Sequence, residues 1–264
     1  MTEPILVAID DGIATITINR ADRLNAMDSR AHLGLSQALD RLADDPTVRV
    51  IILTGAGEKA FSVGRDLKEL AEAEEMGEEA RSVIDGRWAQ ITRLTDRFDY
   101  PKPIIARVQG LALGGGFELA LACDLIVASE TASFAMPEAR RGLIPFAGGV
   151  HRLPRQIPPK AAMGYLLTGR SMSAARAYEL GLVNEVVPAD QLDDAVARWI
   201  ADIIACAPLS IRSIKQCVSE GLGLPLADAM AAVYPAEEAR KTSQDAIEGP
   251  RAFTEKRPPR WTGG

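Results

Sequence analysis

Leu111-Ala112-Leu113-Gly114-Gly115-Gly116-Phe117-Glu118-Leu119-Ala120-Leu121 sets three consecutive glycines between an apolar stretch and a helix-forming one, with a carboxylate just inside the latter. Upstream, Pro103 to Val108 reads as a buried strand, and downstream Phe117 to Cys123 has the residues of a buried helix. Glycine is what lets the backbone turn sharply there and present its N–H groups to a ligand at a helix N-terminus. The expectation is a site that binds an oxyanion and carries its own acid or base.

Working outward, strand and helix patterns alternate. Ile5, Val7 and Ile9, then Ile13, Thr15, Thr17 and Asn19, alternate with period two about Asp10-Asp11-Gly12, which predicts a hairpin. Asp28 is placed to N-cap a helix bearing Leu33, Leu35, Leu39 and Leu42, and Val48 to Thr54 reads as a buried strand. Lys68 to Glu79 is glutamate-rich and predicts a solvated helix or flap. Strands at Leu125–Ser129, Ser133–Ala135 and Val183–Val187 follow, with helices around 148–156, 160–168 and 174–181. After about residue 190 only helices are expected, over 192–205, 209–220 and 226–240, punctuated by Pro208, Pro225 and Pro250. The fold class is therefore α/β, divided as a core over 1–190 and a helical region over 191–264.

The chain has 264 residues, 47% hydrophobic and 25% charged, with a formal charge of -6. That length buries a substantial core, and an acidic balance with scattered Lys and Arg argues against a nucleic-acid or anionic-membrane partner. Met1-Thr2-Glu3-Pro4 lacks the basic and apolar regions of a signal peptide, and the apolar stretch from 104 to 129 is interrupted by Arg107, Glu118 and Asp124. Three cysteines without paired spacing predict neither a disulfide framework nor a zinc knuckle, so a cytoplasmic location is expected. His32 and His151 lie far apart in sequence and give no triad or metal signal.

As a dinucleotide-binding turn the glycine run is incomplete, because Leu119 stands where the third glycine belongs. A second turn, Lys59-Ala60-Phe61-Ser62-Val63-Gly64-Arg65-Asp66-Leu67, again follows a buried strand, and two such turns can converge two backbone N–H groups on one oxygen. With this pair the chain resembles the crotonase family, the enoyl-CoA hydratase and isomerase superfamily. The resemblance extends through Asn25-Ala26-Met27, Ser133-Phe134-Ala135, Pro137-Glu138, Gly148-Gly149, Leu167-Thr168-Gly169, Gly181-Leu182-Val183 and Phe253 to Arg257.

The resemblance implies a spiral of ββα repeats with a C-terminal helical trimerisation region, commonly a homotrimer or dimer of trimers. It implies an acyl-CoA thioester substrate whose carbonyl sits between the backbone N–H groups of Arg65 and Gly115, where an enolate is stabilised more than a ground-state carbonyl. Glu118 and Glu138 correspond to the two catalytic glutamates of family hydratases, Glu118 activating water and Glu138 protonating C2. Isomerases of the family often lack an equivalent of Glu118, so the pair favours hydration or dehydration. Ala60, Val63, Gly64, Asp66, Leu67 and Gly114 are implied to border the acyl-CoA, and Lys256 to approach its nucleotide, often from a neighbouring subunit. CoA arrives with the substrate; no metal or further cofactor is implied.

Arg65 replaces the small residue that many members carry, with a solvated charge at a pocket rim, or contact with a polar or anionic acyl tail or with part of CoA, as alternatives. Phe117 to Arg155 and the segment from Asp245 to Arg257 also resemble the carnitinyl-CoA dehydratase branch, which raises a short polar or cationic acyl group. A non-catalytic acyl-CoA-binding scaffold and a nucleotide-dependent oxidoreductase are the rivals from other classes. Arg140 and Arg141 are expected to meet CoA phosphates or form a solvated pair, and Phe253 is expected to pack.

Overall fold

The computed structural model describes residues 3–69 and 77–264; most of the glutamate-rich segment expected to form a helix or flap, 70–76, lies outside them. Two compact units emerge, one formed by 1–97 and 104–196 and the other by 98–103 and 197–264. The residues place the change at 190/191, before a helix, Leu192–Ile204, that the division at 196/197 cuts.

In the first unit, β1 (Ile5–Asp10) and β2 (Ile13–Ile18) form the expected antiparallel hairpin, with Asp11 and Gly12 at positive φ. Ala14, Ile16 and Ile18 alternate into the core. α1 (Ser29–Asp44) follows, the Asp28 carboxylate accepting from Ala31 N at 2.8 Å. It buries Ala31, Leu35, Ala38, Leu39 and Leu42, whereas Leu33 is half-buried.

From there the chain delivers strands alternately to two sheets. β3 (Val50–Gly55), β5 (Ile104–Val108), β7 (Leu125–Ser129) and β10 (Glu185–Val187) extend the first in parallel, in the order β1-β2-β3-β5-β7-β10. The near-continuous burial of β3, β5 and β7 is what a parallel sheet covered on both faces demands. Between them β4 (Ala60–Ser62), β6 (Leu111–Leu113), β8 (Ser133–Ala135) and the two-residue β9 (Met172–Ser173) form a second sheet in that order. Each repeat therefore runs through a long strand, a short strand and then helical structure: α2 (Glu78–Trp88), α3 (Gly115–Ala122), and later α4 (Gly149–Gln156), α5 (Pro159–Thr168) and α6 (Ala174–Glu179).

The second unit takes up the end of α7 (Leu192–Ile204), then α8 (Pro208–Gly221), α9 (Leu226–Ala231), α10 (Pro235–Lys241) and α11 (Gln244–Thr254). The single helix expected over 226–240 is broken before Pro235, whose ring excludes the preceding residue from helical geometry. Pro250, read as punctuation, lies inside α11 instead. Phe253 is 87% exposed in the single chain rather than packed.

Candidate active site

The second sheet brings the two glycine turns together. β4 pairs with β6, Ser62 opposite Ala112, and β6 pairs with β8, Leu113 opposite Ala135, so that Gly64, Gly114 and Glu138 leave adjacent strands on the same side. Gly114 N continues the ladder to Ala135 O at 2.8 Å. Phe117 and Phe134, both fully buried, stack at 5.2 Å and tie α3 to β8; such a pair adds about 0.5–1.5 kcal/mol beyond its burial.

Contact around the turns leaves no room for a side chain at Gly64 or Gly114. Gly64 has φ +82°, and a Cβ there would stand 2.5 Å from Gly115 N. Gly114 has φ +51°, and its Cβ would stand 2.7 Å from Glu138 Oε1. A Cβ on Gly115 would stand 3.5 Å from Arg65 N and 3.9 Å from Glu118 Oε2. Both carboxylates and both turn amides thus border Gly114–Gly115. Among the described residues neither Arg65 N nor Gly115 N donates to another backbone group.

The Arg65 turn is clamped from behind. Met27 N donates to Gly64 O at 2.7 Å and Asp66 N to Met27 O at 3.0 Å, flanking Arg65 N and fixing its direction. Asn25 is fully buried, donating to Ala60 O at 2.7 Å and Ala56 O at 3.0 Å while Ser62 Oγ donates to its carbonyl. Gln109, for which the sequence held no motif, donates to the carbonyls of Gly55, Gly57 and Ala60. Arg20 spans Asp66 at 2.9 Å and Asp28 at 3.2 Å. Burial is the largest single influence and alone would raise the Asp66 carboxyl, but the Arg20 hydrogen bond and charge together with the backbone N–H groups of Lys68 and Glu69 outweigh it and hold it below the ordinary value. A cavity of about 490 Å³ lined by Arg20, Asp28, Asp66, Glu69, Ile84 and Arg87 borders this end of the turn and touches neither Glu118 nor Glu138.

Glu118 is 3% exposed. Its Oε1 accepts from Gly149 N at 2.8 Å, which gives the Gly148-Gly149 pair its part in the site and leaves Oε2 toward Gly115. Burial pushes this carboxyl up to about 6 and the charge of Glu138 adds to the effect, against the opposing Gly149 hydrogen bond. Glu138 rides a 3-10 turn, Pro137–Arg141, and its carboxyl is raised by burial, with Arg141 opposing. Its Oε2 is buried with no hydrogen-bond partner among the described residues. Arg140 is engaged with Thr168 O at 2.7 Å rather than paired in solvent.

The remaining expected residues are distributed unevenly. Ala60 is buried in β4, Val63 is half-buried, and Leu67 is 47% exposed. Lys256 lies in the second unit, exposed and at φ +51° just beyond α11. His151 is exposed on α4, while His32 packs against Trp88. No helix among the described residues is long and apolar enough to cross a membrane.

Paired carboxylates beside paired backbone amides define a site for general acid–base chemistry on a substrate whose oxygen gains negative charge. The family model for enoyl-CoA hydratase/isomerase matches residues 8–264. A carnitinyl-CoA dehydratase from Salmonella enteritidis is 40% identical over 270 residues, covering the whole of both chains. A solved enoyl-CoA hydratase from Bacillus anthracis superposes with a TM-score of 0.89 at 36% identity, covering 99% of this chain and 100% of that one. Another from Mycobacterium marinum gives 0.88 at 42% identity with both chains fully covered. The chain belongs to the enoyl-CoA hydratase/isomerase family and has the crotonase fold.

Proposed function

We propose that this protein is an enoyl-CoA hydratase, catalysing the reversible syn addition of water to a 2-enoyl-CoA thioester. The observation that carries the reading is the meeting of Glu118, Glu138 and the amides of Arg65 and Gly115 about one pair of glycines. In the reaction, the thioester oxygen accepts from Arg65 N and Gly115 N. The Glu118 carboxylate, oriented by Gly149 N–H, removes a proton from water as the oxygen bonds to C3. Electrons shift onto the thioester oxygen as an enolate, and Glu138 delivers a proton to C2.

The environments support this division. A carboxyl near 6 is ionised at neutral pH yet basic enough to activate water. The unpartnered Oε2 of Glu138, in a carboxyl raised by burial, suits a group that holds a proton for transfer. Losing one oxyanion donor typically costs on the order of 10²-fold or more in rate. CoA enters with the substrate, bordered in this reading by Ala60, Val63, Leu67 and, from a neighbouring subunit, Lys256. A homotrimer or dimer of trimers in the cytoplasm completes the proposal, supported by exposed apolar side chains such as Ile214, Val218 and Leu222 on α8 and the loop after it.

Carnitinyl-CoA dehydration is the second reading, favoured by the full-length similarity to the Salmonella enzyme. Crotonyl-CoA incubated in ²H₂O and followed by NMR tests the first. The expected product carries a hydroxyl at C3 and one deuteron at C2. A displaced double bond without a hydroxyl would assign an isomerase, and inertness toward crotonyl-CoA with dehydration of carnitinyl-CoA would assign the second reading.

A further inference from the structure

Arg65 gives its backbone to the turn, but its guanidinium does something else. Its Cζ stands 5.1 Å from the centroid of the Trp88 ring, and that ring also meets the His32 ring at 4.9 Å. The three side chains form one wall of the first unit, running from the Arg65 turn across α2 to α1. No described residue accepts a hydrogen bond from, or pairs with, the Arg65 guanidinium. Trp88 Nε1 is buried and has no partner among the described residues.

The wall is electropositive. Burial, then the charges of Arg93 and Arg65, push the His32 imidazole down to about 4, so it stays neutral while both arginines act on it. Arg93 also lowers Glu118, which places its field over the catalytic carboxylate. Of the acids facing this region, Asp28 is engaged by Arg20 and Arg30, and Asp96 by Arg93.

We infer that the preferred substrate is an acyl-CoA whose acyl group ends in a carboxylate, held by the Arg65 guanidinium where it lies on the Trp88 ring. The inference rests on the hydratase reading for where the acyl group enters. A cationic tail is disfavoured on the same geometry: the ring face that would attract a quaternary ammonium already carries the cation of Arg65. A carboxylate instead meets a planar donor fork, and charge-assisted hydrogen bonds of this kind are about twice as strong as neutral ones.

Calorimetric titration with two non-reacting thioesters tests this: glutaryl-CoA and its neutral isostere 5-methylhexanoyl-CoA, against wild type, Arg65→Met and Arg65→Lys. The expected result is glutaryl-CoA binding about tenfold or more tighter in wild type, the preference abolished in Arg65→Met and partly restored in Arg65→Lys. Equal binding of the two thioesters by wild type, or an undiminished preference in Arg65→Met, overturns the inference. Hydration of crotonyl-CoA and of its carboxylated counterpart glutaconyl-CoA is measured alongside. Turnover without a carboxylate preference removes this inference alone, whereas the preference with no hydration of either thioester sustains anion recognition and removes the hydratase reading.

Discussion

Glu118→Gln removes a charge while keeping the carbonyl oxygen that accepts from Gly149 N, so it isolates the energetic cost of the buried carboxylate. Burial carries this carboxyl from 4.5 to about 6 in the folded chain. At 1.36 kcal/mol per pH unit that corresponds to about 2 kcal/mol of destabilisation once the group is ionised. The sign follows from proton binding: the folded state holds the proton more tightly than the unfolded state. The favourable contribution is therefore fully present below about 4.5 and is lost as pH rises through about 6. Gln, which does not titrate, escapes the loss. Relative to wild type, Glu118→Gln should be nearly neutral at pH 4 and more stable by about 2 kcal/mol at pH 8, on the order of a 5 °C rise in melting temperature for a chain of this size. Paired urea denaturation at fixed protein concentration, from pH 4 to 8, measures it. A difference that does not change with pH, or a variant less stable at pH 8, would refute the buried-carboxylate argument.

Three further outcomes follow from the same geometry. In the hydration direction kcat/KM should fall tenfold per pH unit below about 6, where Glu118 takes up its proton; a profile flat down to pH 4.5 would contradict the assignment of Glu118 as base. Gly64→Ala, whose Cβ would stand 2.5 Å from Gly115 N, should separate the two turns and lower kcat on the order of 10²-fold; steady-state rates within threefold of wild type would show that the turns tolerate separation. Asn25→Ala removes two donated bonds and one accepted bond from the clamp behind Arg65 and should cost about 2–4 kcal/mol in chemical denaturation. A loss under 1 kcal/mol would mean that Gln109 and Arg20 carry the clamp without it.

The long elements were legible because their signals are local and repeated. Asp28 caps α1 as its position predicts, and the alternation in β2 and the apolar runs of β3, β5 and β7 lie close to where the residues place them. The second sheet was mostly invisible: β4, β6 and β9 have three, three and two residues, too few to display a period. Yet that sheet aligns both turns with Glu138. The two glutamates and two turns were found through recognisable motifs, whereas the clamp was not. Gln109 and Arg20 act through tertiary hydrogen bonds to residues tens of positions away, and nothing in their own neighbourhoods marks them. Asp66, expected to border the substrate, has its carboxylate engaged by Arg20 and Lys68 N. For Arg65 the sequence registered only an unusual side chain; its stacking on Trp88 required the fold that brings α2 to the turn.

Loss of the conjugated enoyl-thioester absorbance of crotonyl-CoA, compared among wild type, Glu118→Gln and Glu138→Gln, tests the two-carboxylate mechanism most directly. Turnover by wild type and a drop on the order of 10²-fold or more in each variant, with folding intact, is the predicted result. A variant that hydrates crotonyl-CoA at the wild-type rate would contradict it.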